Sequence, residues 1–126
     1  MNTSKQRRLL CATALALLPL GLLGCGGTSE DGNTVYVDGL NIKSTLSKAG
    51  IYNVEITGSN NDVTISSGNK VGSLDITGIN HDVRIQAGVE VDRIDISGTG
   101  NTLHVPRGFK SKINRSGSNN VVKEGG

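Results

Sequence analysis

The sequence is poor in the residues that usually build a globular core. It contains no Trp, one Phe (Phe109) and two Tyr (Tyr36 and Tyr52), whereas 18 of its 126 residues are Gly. A conventional core depends on bulky aromatic and leucine side chains. The core of this protein must therefore be built from small β-branched residues in a regular arrangement.

Cysteine and histidine are also scarce. The two cysteines, Cys11 and Cys25, both lie near the start of the chain, so residues 26–126 can form neither a disulfide nor a cysteine-based metal site. The two histidines, His81 and His104, lack the close spacing of a zinc site, and no Gly-x-Ser-x-Gly motif occurs. Catalysis by a nucleophile or by zinc therefore has little support.

The excess of basic over acidic residues comes from the start of the chain. The chain has 13 Lys and Arg against 11 Asp and Glu, and without Lys5, Arg7 and Arg8 the balance becomes 10 against 11. The remaining chain has a net charge of −1. We therefore expect no nucleic-acid partner.

Residues 1–24 have the three parts of a secretory signal peptide. Three positive charges precede an apolar run over 9–23, which is followed by a small residue, Gly24. The run is shorter than the roughly 20 apolar residues of a membrane-spanning helix. The pattern predicts an exported protein from which the segment 1–24 is removed.

The residues Leu22-Leu23-Gly24-Cys25, at the end of this run, resemble the lipobox of bacterial lipoproteins. The resemblance implies that Cys25 carries a lipid, becomes the first residue and anchors the protein to the cell membrane. Several acyl chains make such an anchor firm. In Gram-negative members an Asp after the cysteine commonly signals inner-membrane retention, so Gly26 favours the outer membrane. Residues 25–32 are then predicted to be the lipidated N-terminus and a flexible tether.

An internal repeat organises the rest of the chain. The segments 56–65, 76–85 and 96–105 align without gaps, so that position i of one copy corresponds to position i+20 of the next. A degraded copy over 113–122 has a longer Ile-to-Gly spacing, which predicts at least two inserted residues. A further copy over 35–42 places Asn41 one full period before Asn61.

Each copy contains two short runs of alternating β-branched residues separated by Gly, Asn and Asp, which is typical of strands joined by turns. A fixed period of this kind favours an all-β, short parallel β-solenoid of about four coils with a 20-residue repeat. We place this domain at residues 33–126, with residues 33–50 as the N-terminal cap. An antiparallel hairpin array or sandwich is the rival architecture.

Two polar columns follow from this architecture. The first is a corner column of amides that either form a hydrogen-bonded ladder or lie in solvated turns: Asn41, Asn61, His81, Asn101 and Asn120. The second is a column of outward carboxylates, Glu55, Asp75 and Asp95, each one period after the previous one. Stacked carboxylates repel each other, and calcium binds several carboxylate oxygens. These three residues are the candidate metal ligands; the alternative is a solvated acidic stripe.

The last coil is predicted to be basic and irregular. Its cationic residues either protect the end of the solenoid from edge pairing or form a docking patch for an acidic glycan or lipid headgroup: Arg107, Lys110, Lys112, Arg115 and Lys123.

The blocks Ser59–Val63 and Ser118–Val121 resemble those of an uncharacterised bacterial family, the domain of unknown function three-zero-six-zero. That family brings no known activity or catalytic residues. We therefore expect a membrane-tethered, non-catalytic binding or structural module that contacts an envelope protein or glycan. The alternative is a cation-dependent glycan-binding or adhesion protein. A small hydrolase is third, because about four coils offer only about 15–20 Å of stacked surface at one strand spacing per coil, without an aromatic sugar platform.

Overall fold

The structure is a computed structural model that describes residues 27–125. The predicted signal peptide and Cys25 lie outside these residues. The described chain is all-β, and none of it forms a helix that could span a membrane. Its strands are β1 (Gly27–Asp31), β2 (Thr34–Leu40), β3 (Lys43–Leu46), β4 (Ile51–Ser59), β5 (Asp62–Ile65), β6 (Lys70–Ile76), β7 (Asp82–Ile85), β8 (Glu90–Ile96), β9 (Thr102–Val105), β10 (Lys112–Arg115) and β11 (Val121–Glu124).

These strands form two sheets that enclose a single hydrophobic core. The six-stranded sheet has the order β1-β2-β4-β6-β8-β10 and the five-stranded sheet the order β11-β9-β7-β5-β3. From β2 onward each coil adds one strand to each sheet, and all of these pairs are parallel. The predicted parallel β-solenoid is confirmed, with five coils, and the hairpin array is wrong.

The step from one coil to the next is one position shorter at both ends of the solenoid than in its middle. Val54 pairs with Leu74, which is a step from i to i+20, whereas Val35 pairs with Val54, which is a step from i to i+19. Residues 34–46 are therefore a complete first coil, and the prediction of a cap over 33–50 is wrong. The shorter step also moves Asn41 by one position, because Leu40 pairs with Ser59 and Asn41 then lies beside Asn60.

The last coil is regular, and the predicted insertion is wrong. Ile113 pairs with Ile94 and Arg115 with Ile96, so this step is again from i to i+19. Ile113 therefore takes the place of Ile94, and not that of Ile96 as the sequence comparison predicted. Arg115 occupies the position that Ile96 holds in the coil before, and it is exposed because β10 is the outermost described strand of its sheet.

The segment predicted as a flexible tether contains a strand. Residues 27–31 form β1, which pairs antiparallel with β2 from Gly27 opposite Asp38 to Asp31 opposite Thr34. The tether prediction is therefore wrong for these residues. This hairpin covers the first edge of the six-stranded sheet, so β1 is the N-terminal cap.

The core consists of stacked columns of Val, Ile and Leu, as the alternation predicts. The inward residues of the repeats are buried: Val54, Ile56, Val63, Ile65, Leu74, Ile76, Val83, Ile85, Ile94, Ile96, Leu103 and Val105. The first coil adds Val35 and Val37. Burial of each such side chain contributes about 1.5–3 kcal/mol, which explains how a chain without Trp holds this fold.

Candidate functional site

The three candidate metal ligands form the predicted column on the six-stranded sheet. Glu55 pairs with Asp75, and Asp75 pairs with Asp95. Tyr36 precedes the column in the first coil, and Asn114 follows it in the last. All three carboxylates are partly exposed, so the column lies on the outer face of the sheet.

The charges of this column are partly compensated. Arg93 Nε lies 3.2 Å from Asp95 Oδ2, and Asn114 Nδ2 donates to Asp95 Oδ1 at 3.1 Å. Partial burial, followed by the negative charge of Asp95, raises the pKa of Asp75 above its usual range, although Arg93 opposes this. The column is therefore an interacting pair, Asp75 and Asp95, with a basic neighbour.

A metal ion would need several of these oxygens at once. Carboxylates are suitable ligands for calcium, but Asp95 already binds Arg93 and Asn114. Within residues 27–125 no three His, Cys, Asp or Glu side chains converge closely enough to hold a metal ion. The calcium site therefore stays a prediction.

A second charged cluster, which the sequence analysis missed, lies on the five-stranded sheet. His104 Nε2 is 2.8 Å from Asp82 Oδ1, and Arg84 Nη2 is 3.3 Å from Asp82 Oδ2. His104 and Arg84 are paired in register, which places both beside Asp82. In the sequence, His104 follows Asp82 by one repeat plus two positions. This separation puts His104 diagonally across from Asp82 on the same face.

The corner column forms an internal ladder at four of its five predicted positions. Asn61 Oδ1 accepts from the Ile42 N–H at 2.8 Å, and Asn101 Oδ1 accepts from the His81 N–H at 2.8 Å. Asn120 Oδ1 accepts from the Asn101 N–H at 3.0 Å. Each side chain thus bonds to the backbone of the preceding coil, and Asn61, His81 and Asn101 are buried. The alternative of solvated turns is wrong for these three.

The amide nitrogens complete the ladder. Asn61 Nδ2 donates to Thr57 O at 2.7 Å and to Gly39 O at 3.2 Å, and Asn101 repeats this pattern with Ser97 and Gly78. Buried polar groups are costly unless they are hydrogen-bonded. Since each side chain joins two coils, the ladder fixes their register. Asn41 is not part of it, because the shorter first step puts Ile42 in that place.

His81 replaces Asn in the third coil and is the one titratable member of the ladder. Its Nδ1 accepts from the Asn61 N–H at 3.2 Å, so the proton of the neutral ring must lie on Nε2. Nε2 lies 2.7 Å from Thr77 O, to which it donates. Burial lowers the pKa of His81 below its usual value, with two backbone hydrogen bonds partly opposing the shift. The imidazole therefore acts as a neutral substitute for an amide.

Three of the basic residues predicted for the last coil lie on its strands. Lys112 and Arg115 belong to β10, Lys123 belongs to β11, and all three are exposed. The β10 and β11 strands each pair with one neighbour on the inner side. Their outer edges form the C-terminal end of the solenoid.

The chain matches no family model, no curated protein and no solved structure.

Proposed function

We propose that the protein is a non-catalytic binding or structural module of the cell envelope, held on a membrane by a lipid on Cys25. The observation that carries the anchor is the lipobox-like run Leu22-Leu23-Gly24-Cys25, and β1, which begins two residues after Cys25 and pairs with β2, decides where the anchor would hold the fold. Two residues of chain span at most about 7 Å. A lipid on Cys25 would therefore hold the N-terminal end of the solenoid at the membrane surface.

The solenoid then presents its opposite end and its flat faces away from the anchor. Four steps of about 4.8 Å separate the first and last coils, which is about 19 Å. Some outward residues of the six-stranded sheet are short and polar, such as Thr57, whose hydroxyl donates to Asp38 Oδ1 at 2.9 Å. A rigid surface of this kind is suited to contact with an envelope protein or a glycan.

The anchoring prediction is tested by Cys25→Ala. We expect the variant to lose incorporation of a labelled fatty acid and to leave the membrane fraction, because each buried methylene of an acyl chain contributes about 0.8 kcal/mol to anchoring. Labelling and detergent-phase partitioning of cell fractions measure both effects. Cys11→Ala is the matched control and should behave like the unaltered protein. Undiminished labelling and membrane binding of Cys25→Ala would overturn the proposal.

The second candidate function is cation-dependent binding of a glycan through the acidic column. Two observations favour it: the shared register of Glu55, Asp75 and Asp95, and the raised pKa of Asp75, which burial and the charge of Asp95 cause. A bound cation would relieve the repulsion between these two carboxylates.

The Asp75→Asn substitution separates the two functions. For the structural module we expect no change of melting temperature between calcium and chelator. We also expect a free energy of unfolding that is unchanged or higher by up to about 1 kcal/mol, because one like-charge neighbour is removed. Thermal unfolding followed by circular dichroism measures both. Asp92→Asn, an exposed β8 position outside the column, is the control. A calcium-dependent rise in melting temperature that Asp75→Asn alone abolishes would support the cation function instead.

A further inference from the structure

The corner ladder presents the same pair of backbone donors in every coil. In the fourth coil the Gly100 N–H donates to Ser118 O at 2.9 Å, and the Asn101 N–H donates to Asn120 Oδ1 at 3.0 Å. In the third coil, Asn80 and His81 donate in the same way to the fourth. Each pair of adjacent N–H groups thus binds two acceptors from the next coil.

In the fifth coil, the last one within residues 27–125, this pair of donors meets no acceptor from another described coil. The equivalent groups are the N–H of Asn119 and the N–H of Asn120, and neither has a hydrogen-bond partner within residues 27–125. Asn119 has a φ of 56°, close to the 55° of Asn80. The two donors therefore keep the orientation of the inner coils and point out of the C-terminal end.

The residues that carry these donors help to line a shallow, open polar recess of about 310 Å³, whose lining residues are Arg115, Ser116, Gly117, Asn119 and Asn120. Arg115 Nη1 donates to Asn120 O at 3.2 Å, which holds the guanidinium at the recess. Adjacent N–H groups around a left-handed residue form an anion-binding concavity, and Arg binds carboxylates through charge-assisted hydrogen bonds. The recess therefore combines two directed donors with a positive charge.

We propose that this recess is a carboxylate-binding site whose ligand is an acidic residue of an extended polypeptide. The inner coils show which acceptors fit: a backbone carbonyl, and the side-chain oxygen of the residue two positions later, as in Ser118 and Asn120. An Asp side chain supplies the same oxygen together with a negative charge. The free edges of β10 and β11 allow such a segment to pair in the place of a sixth coil.

This inference rests on the proposed function in one respect, since it gives the binding module a class of ligand. The test uses the protein, ¹⁵N-labelled and purified from membranes in detergent, titrated with sodium acetate and then with the blocked peptides Ser-Asn-Asp and Ser-Asn-Ala. We expect saturable shifts of the Asn119 and Asn120 amide resonances with acetate. We also expect the Asp peptide to bind at least about tenfold more tightly than acetate or the Ala peptide, because it adds a second acceptor.

Two variants connect the binding to the recess. Arg115→Gln should weaken acetate binding about tenfold, as expected for the loss of one charge-assisted hydrogen bond. Arg107→Gln, which removes an exposed charge from another corner, should leave acetate binding unchanged. The absence of saturable shifts at the two amides, or equal weakening by both variants, would overturn the site.

The remaining outcomes identify a different ligand. Acetate binding without a gain for the Asp peptide would refute a polypeptide ligand. Shifts of the same amides when the protein is concentrated without ligand would assign the recess to a second copy of the chain. All of these failures are distinct from failure of the membrane-anchoring proposal, which is measured by the lipid label on Cys25.

Discussion

The Gly98→Ala substitution is expected to destabilise the protein by about 2–5 kcal/mol, because the costs of a left-handed conformation, about 1–2 kcal/mol, and of overpacking, about 1–3 kcal/mol, add together. Gly98 has a φ of 94°, and a Cβ at this position would overlap Gly78 O and lie 2.8 Å from Gly78 N. Because the atoms in contact are backbone, the clash separates two coils and can prevent folding.

Gly108→Ala is the matched control, and urea unfolding of both variants is the measurement. Gly108 has a φ of 78°, and among residues 27–125, apart from Gly108 and its two chain neighbours, no heavy atom lies within 4 Å of the position that a Cβ would take there. We expect the free energy of unfolding of this variant to fall only by the cost of the left-handed conformation, about 1–2 kcal/mol. Equal losses for the two variants would contradict close stacking of the glycines.

The second large effect is a loss of stability in acid that depends on His81. Protonation of Nδ1 removes the acceptor for the Asn61 N–H and places a charge in a buried ladder. Because burial lowers the folded-state pKa of His81, the unfolded chain binds the proton more readily. The stability that neutral His81 contributes is fully present above the pKa of a histidine in the unfolded chain, about 6.5. It is lost as the pH falls from there to the lower folded pKa, with a slope of up to about 1.4 kcal/mol per pH unit.

His81→Asn should remove this part of the pH dependence, because Asn occupies the equivalent position in the neighbouring coils. Urea unfolding at a series of pH values between 7 and 4, a range chosen to bracket the ordinary histidine pKa of about 6.5, measures the slope. His104→Asn is the control, since His104 is partly exposed and lies against Asp82. An unchanged slope in His81→Asn would show that His81 is not the group responsible.

The fold was predictable because its strongest signal is a spacing and does not depend on residue composition. Val63, Val83 and Leu103 recur at a constant interval, and a column of this kind can be buried only if equivalent residues stack. Asn61, His81 and Asn101 recur at the same interval, which predicts their common place at one corner. Burial of that column follows from the core on which it packs.

The errors of the sequence analysis concern steps at which the period changes. The step from Val35 to Val54 is one position shorter than the central steps, so a fixed period placed Asn41 in the wrong column. The step from Ile94 to Ile113 is shortened in the same way, and the spacing from Ile113 to Gly117 was interpreted as an insertion. Strand pairing decides such cases, because a shift by a single position turns each side chain to the opposite face of a strand.

Other features depend on strand pairing or side-chain contacts that the repeat in the sequence does not indicate. Residues 27–31 contain a glycine and no apolar side chain, which is typical of a tether, yet they form β1 because β2 offers an unpaired edge. The Asp82 and His104 contact also joins residues of different repeat positions. The recess at Asn119 and Asn120 could not be predicted either, because the repeat does not indicate which backbone N–H groups lack an acceptor from a neighbouring described coil.

Mass spectrometry of the N-terminal peptide of the protein isolated from membranes tests the account most directly. We predict a peptide that begins at Cys25 and carries two or three acyl chains, joined through Gly26 to the first residue of β1. A peptide that retains the segment 1–24, or one that contains Cys25 with an unmodified thiol, would contradict it.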